Sequence, residues 1–229
     1  MQGEKMIKAV FFDLFFTLIY PEYSDINEYD VVGISCEEWE KYAEDNILYS
    51  ERALGKIRTE KEIIDRIVDI MPYDLNESQK QKILQRREER MKRALLTIDD
   101  KILDTLRKVR DKGFKIGLIS NADIIDSKHW DKSPLSEFFD VAIFSCNVGI
   151  LKPEPEIYKL TMDMLGVMPT ESIFIGDGGS DELYGAKRAG MKTVFTEYLE
   201  HKTLDKIEKI KLYADYRIDS FDELLRYME

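Results

Sequence analysis

The stretch AVFFDLFFTLIY, residues 9–20, is apolar apart from one carboxylate, Asp13, and the hydroxyls of Thr17 and Tyr20. A charge inside a buried strand is expensive unless it stands at the strand's end or performs a task. A strand running through KAVFFD (8–13) and closing at Asp13 meets that condition. Similar runs, rich in β-branched and aromatic residues, follow at KIGLIS (115–120), VAIFS (141–145), SIFIGD (172–177) and KTVFT (192–196). Helical patterns lie between them. In DKILDTLRKVRDKG, Ile102, Leu103, Leu106 and Val109 share one face and Gly113 supplies the stop. PEPEIYKLTMDMLG opens on prolines and ends at Gly166, and DELYGAKRAG precedes the last strand. Continuous apolar strands alternating with helices predict an α/β fold, a Rossmann-like open parallel sheet with helices on both faces.

Residues 20–95 break the alternation. SCEEWEKYAEDNILYSERALG, RTEKEIIDRIVDIM and NESQKQKILQRREERMKRALL read as helices, with capping boxes at Ser35/Glu38, Thr59/Glu62 and Asn76/Gln79. The block is too long for a simple crossover, so it reads as an inserted all-helical domain. The expected organisation is a core of residues 1–19 and 96–229 carrying a helical insert over 20–95. Trp39, with Ile47 and Leu48, reads as the insert's own core, and the charge run QRREERMKR (85–93) as a solvated helix face.

The 229 residues carry a net charge of −11, which disfavours nucleic acid and anionic lipid as partners. No run reaches the ~18 apolar residues of a membrane span, and no signal-peptide pattern is visible, so a cytoplasmic protein is expected. Cys36 and Cys146 are far apart, in no metal-ligand spacing, and read as free thiols.

In open parallel sheets ligands bind beyond the carboxyl ends of the strands. Polar groups stand at four such ends: Asp13 with Thr17; Ser120 with Asn121; Lys152 in NVGILKPEP; and Asp177 with Asp181 in FIGDGGSDELYGA. Singly, the aspartates read as turn residues or helix caps, Ser120 and Asn121 as a cap, and Lys152 as surface charge. Together on one sheet edge they make a site. Three carboxylates in a low-dielectric pocket repel one another, and a divalent cation removes that cost. Oxygen donors suit Mg²⁺. Lys152, Ser120 and backbone N–H groups near Asp13 suit the oxygens of a phosphoryl group, and a free Asp13 oxygen can attack it.

FFDLFFTL, GLISNAD, GILKPEPEIY and IFIGDGGSDELYGAKRAGM resemble, in order, the four signature motifs of the haloacid dehalogenase-like hydrolase superfamily. The helical insert resembles that family's mobile cap. The resemblance implies that Asp13 is a nucleophile forming an aspartyl-phosphate, with Thr17 beside it. It implies that Ser120, Asn121 and Lys152 bind the phosphoryl group. By the same resemblance Asp13, Asp177, Asp181 and the backbone carbonyl of Phe15 hold Mg²⁺, and the substrate is a small phosphorylated metabolite.

One position departs from the pattern. Family phosphatases carry a second Asp two residues after the nucleophile, as acid and base; here Phe15 stands there, followed by Phe16. Loss of such a group costs about 10²–10⁴ in rate. Three readings follow: a Mg²⁺-dependent phosphohydrolase using good leaving groups or a substitute acid, a metal-independent 2-haloacid dehalogenase-like hydrolase, or a non-catalytic binder. The acidic pair Asp177 and Asp181 favours phosphate chemistry. His129 and His201 both read as surface residues rather than substitutes. On the insert, Tyr49, Arg52 and Lys56 in YSERALGKIR are the substrate-contact candidates, ahead of Glu22 and Asp25. A monomer or homodimer is expected.

Overall fold

The computed structural model describes residues 6–228; residues 1–5 and 229 of the expected core lie outside them, and the elements that follow are those of the described residues. Six strands form one parallel sheet: β1 (Ala9–Phe12), β2 (Lys115–Ser120), β3 (Val141–Phe144), β4 (Ser172–Gly176), β5 (Lys192–Thr196) and β6 (Tyr216–Ile218). Their spatial order is β3-β2-β1-β4-β5-β6. The order reverses at β1, whose neighbours are β2 on one side and β4 on the other. That reversal opens the crevice in which such sheets bind ligands.

Side chains alternate across the sheet, as strand geometry requires. Val10, Phe12, Ile116, Leu118, Ile173 and Ile175 enter one core, together with Ile102, Leu106 and Val109 of the helix Asp100–Asp111. Ala9, Phe11, Ile119 and Phe174 enter the other, against Ile157, Tyr158 and Met162 of the helix Pro155–Leu165. The five strands expected from sequence are present, and β6 is an addition. Its three residues, with Arg217 at the centre, are too few to show a period, and a short charged edge strand is how sheets avoid pairing with other chains.

Between β1 and β2 the chain forms helices at Tyr29–Val32, Cys36–Ala43, Asn46–Ala53, Glu60–Asp69 and Glu77–Leu96. Ser35 and Thr59 accept the N–H of Glu38 and Glu62, and Asn76 forms a reciprocal box with Gln79. Trp39 is fully buried among Ala43, Ile63, Ile64, Ile67 and Ile83, the insert's apolar centre, which also receives Ile125 from the segment after β2. A hydroxyl ties the insert to the sheet as well: Ser145 Oγ donates to Ala53 O at 2.7 Å.

The charge run 85–93 is only partly solvated, a correction to the sequence reading. Arg87 and Arg90 are buried on the same face of Glu77–Leu96 as Ile83, Met91 and Ala94. Helical spacing puts them there, and opposed carboxylates make the burial tolerable. Arg87 meets Asp123 at 3.0 Å and Asp126 at 2.9 Å; Arg90 meets Glu28 at 2.8 Å and stacks on Tyr23. No helix among the described residues is long and apolar enough to cross a membrane.

Candidate active site

Parallel register brings the first and fourth motifs together. Phe12 lies opposite Ile175 of β4, and the Asp13 N–H donates to Ile175 O at 2.9 Å. Asp13 therefore leaves the end of β1 beside Asp177, one residue beyond β4. One oxygen each from Asp13, Asp177 and Glu182 lie within 4.8 Å of one another, and all three residues are buried. Three hard oxygen donors at this spacing fit a small divalent cation such as Mg²⁺.

The third carboxylate is Glu182, not Asp181. Asp181 is exposed, with a left-handed backbone (φ +49°), and lines a separate shallow depression with Tyr184 and Tyr213. Glu182 opens the helix Glu182–Arg188 and turns inward, where its Oε1 accepts the Gly178 N–H at 3.1 Å. Gly176 makes room for it, since a Cβ there would stand 1.9 Å from Glu182 Oε1. The sequence held a signal: in GDGGSDEL an acid pair offers two candidates one residue apart, and only the helix phase selects between them.

Lys152 joins the groups. Its ammonium contacts Asp13 Oδ1 and lies 2.6 Å from Glu182 Oε2. Asn121 holds that loop by its main chain, accepting the Lys152 N–H at 2.8 Å and donating to Lys152 O at 3.1 Å. Gly185 lets the loop approach, as a Cβ there would lie 2.6 Å from Pro153 O. Thr17 donates to Asp13 Oδ2 at 3.1 Å. Ser120 Oγ is fully buried and has no hydrogen-bond partner among the described residues. An orphaned buried hydroxyl at a strand end is costly unless a ligand satisfies it.

Charge in this cluster is only partly compensated. Burial pushes the Asp13 carboxyl above its usual range, Lys152 works against that, and Asp177 adds to it. Burial and then the Asp13 charge push Glu182 well up. Burial works against the Lys152 ammonium, but Asp13 and Glu182 outweigh it and hold its proton firmly.

A second cation is present that no motif announced. Lys202, in the segment after β5, lies 2.5 Å from Asp177 Oδ2 and also contacts Glu200. It sits 5.2 Å above the ring of Phe16, a residue in the left-handed region at φ +60°.

Asp13, Asn121, Lys152, Asp177, Glu182 and Lys202 line one cavity of about 490 Å³ with Phe15, Phe16, Tyr20, Tyr23 and, from the insert, Tyr49, Arg52, Arg87 and Arg90, whereas Thr17 and Ser120 are buried behind its lining. Tyr49 and Ser180 of the fourth motif both line the cavity, and burial raises the Tyr49 phenol. Arg52 is buried and already paired, at 2.7 Å to Glu44 and 3.3 Å to Asp123. Lys56, by contrast, is exposed and outside the cavity lining, because the Gly55 turn directs it to solvent. Glu22 lines the cavity, whereas Asp25 pairs with Arg93 outside it. His129 pairs with Glu88 and His201 is exposed, neither lining the cavity.

Known proteins resemble this chain in sequence and in fold. The glyceraldehyde 3-phosphate phosphatase of Pyrococcus furiosus is 36% identical over 128 residues, 55% of this chain and 52% of that protein. The chain thus spans about half the length of that curated relative. Among solved structures, a HAD family enzyme of Bacteroides thetaiotaomicron in complex with magnesium and inorganic phosphate superposes with a TM-score of 0.66 at 23% identity, covering 87% of this chain and 98% of that one. The L-2-haloacid dehalogenase of Xanthobacter autotrophicus superposes at 0.65 and 18% identity, over 96% and 98%. Both share the fold. A family model described as haloacid dehalogenase-like hydrolase matches residues 7–190, and with the parallel sheet and its strand-end carboxylates this places the chain in that family.

Proposed function

We propose that this protein is a divalent-cation-dependent phosphohydrolase that moves a phosphoryl group from a small phosphorylated metabolite onto Asp13 and then to water. The observation that carries the reading is the convergence of Asp13, Asp177 and Glu182, with Lys152 held between Asp13 and Glu182. Asp13, Asp177, Glu182 and the Phe15 backbone carbonyl are the oxygen ligands assigned to Mg²⁺. When bound, the ion supplies positive charge to the phosphoryl oxygens and offsets carboxylate repulsion.

In the first step an Asp13 oxygen attacks phosphorus while the bond to the leaving oxygen breaks and its electron pair departs with it. Lys152 and Ser120 bind the equatorial oxygens, and Asn121 keeps Lys152 in register. Water then attacks the same phosphorus, releasing phosphate and restoring the Asp13 carboxylate. The helical insert, residues 20–95, acts as the cap that covers the leaving group through Tyr49 and the aromatic wall. Phe15 offers the leaving oxygen no proton, which favours leaving groups of low pKa, such as acyl or aryl phosphates. The Pyrococcus relative is named for glyceraldehyde 3-phosphate, an alkyl ester whose leaving group has a high pKa, so a triose phosphate is the substrate that tests this preference.

The test is phosphate release from acyl, aryl and triose phosphates with Mg²⁺ and with EDTA. Activity with Mg²⁺, lost on chelation, is expected, together with a burst that marks the covalent intermediate. Phe15→Asp is expected to accelerate turnover by up to about 10²-fold. Phe15 also favours a second reading, hydrolysis of 2-haloacids without metal. Halide release that ignores EDTA would establish it and overturn the first.

A further inference from the structure

We infer that Lys202 is a tethered competitor for the divalent cation at Asp177, so that this chain holds its ion weakly and exchangeably. The inference rests on the metal-dependent reading above. Asp177 has one oxygen committed to the Gly179 N–H at 3.0 Å, and the other faces the Lys202 ammonium at 2.5 Å. An ion drawn to Asp13, Asp177 and Glu182 has to share Asp177 with that charge, and two cations at such range repel strongly.

The surroundings suit an exchange. The root of Lys202 is anchored, because its N–H donates to Glu197 Oε1 at 2.8 Å and Glu197 is in turn paired with Arg217 at 2.8 Å. The far end lies at the cavity wall, over the Phe16 ring, which packs edge-on against Tyr20. Glu200, half-buried beside it, already contacts the ammonium. Glu200 thus receives Lys202 when an ion takes Asp177, and no unpaired charge is left behind. Lys152 differs: its main chain is clamped on both sides by Asn121, and its ammonium is shared between Asp13 and Glu182. Phe16, in a backbone region that bulky residues rarely occupy, provides the aromatic platform that keeps Lys202 over the site.

Isothermal titration of the full chain with MgCl₂ tests this directly, without reference to turnover. Lys202→Met is expected to bind Mg²⁺ about tenfold more tightly or better, and Lys202→Arg, which keeps the charge, to remain near wild type. In the wild-type chain, the Lys202 side-chain NMR signal should shift as Mg²⁺ saturates the site. Unchanged or weaker Mg²⁺ binding in a folded Lys202→Met variant overturns the proposal, as does a Lys202 signal indifferent to Mg²⁺. If neither wild type nor variant takes up Mg²⁺, the metal-dependent function falls and this inference falls with it.

Discussion

Two buried clusters of charge border the same cavity and are compensated differently. At the strand ends, Asp13, Asp177 and Glu182 crowd together around Lys152, with Lys202 and Glu200 at the wall. Where the insert meets the sheet, Arg52, Arg87 and Arg90 are matched by Glu44, Asp123, Asp126 and Glu28. Like charges held close cost stability, whereas paired ones hold two parts of the chain in place. With four carboxylates against two ammoniums the first cluster retains more unbalanced negative charge than the second, where four carboxylates face three arginines, and that suits the cation of the proposed function. The second spends its charge internally and orients the insert over the cavity. A count of arginines near a pocket would have nominated the second cluster as the anion site; the pairing argues against it.

That contrast is open to attack by mutation. The largest effect is expected from Asp13→Asn, which turns the proposed nucleophilic carboxylate into an amide: activity drops on the order of 10³-fold or more while the melting temperature holds or rises, since one repelling carboxylate is gone. Phosphate release and a thermal melt on the same sample check both halves. Arg87→Met takes from Asp126 its 2.9 Å partner and leaves Asp123 with Arg52 alone, and urea unfolding should show a loss of about 3 kcal/mol.

A smaller, pH-dependent effect belongs to Asp126. Burial alone would raise its carboxyl, but Arg87 and Arg52 outweigh that and hold it below 3.8. Its stabilising contribution is therefore whole above pH 3.8 and lost as the pH falls through the folded value. The stability gap between wild type and Asp126→Asn should be widest at pH 5 and above, and narrow as the pH falls below 3.8 in urea titrations. The least effect is expected at Lys61, whose pairs with Asp65 and Glu77 lie at the surface: Lys61→Ala should leave the unfolding midpoint in place.

Much of this was legible beforehand because it is periodic or punctuated. Strands ending at Ser120 or one residue short of Asp13 and Asp177, helices closed by Gly113 and Gly166, and the caps at Ser35, Thr59 and Asn76 all follow from short-range rules, and the structure carries each of them. Three-residue β6 was too short to carry a signal. Arg87 and Arg90 were misread because charge in sequence suggests solvent, while burial depended on carboxylates 36 to 62 residues away.

The amino-acid order by itself determined the α/β architecture, the helical interruption after the first strand, and the place of Asp13 just past the end of the first strand, because each follows from local pattern and from where strands end. Tertiary structure alone decided that Glu182 rather than Asp181 turns inward, that two arginines of a charged helix are interior, and that Lys202 reaches Asp177. Those outcomes depend on helix phase and on charges meeting across distant segments. Electrostatic energy depends on separation in space, which distance along the chain does not reveal.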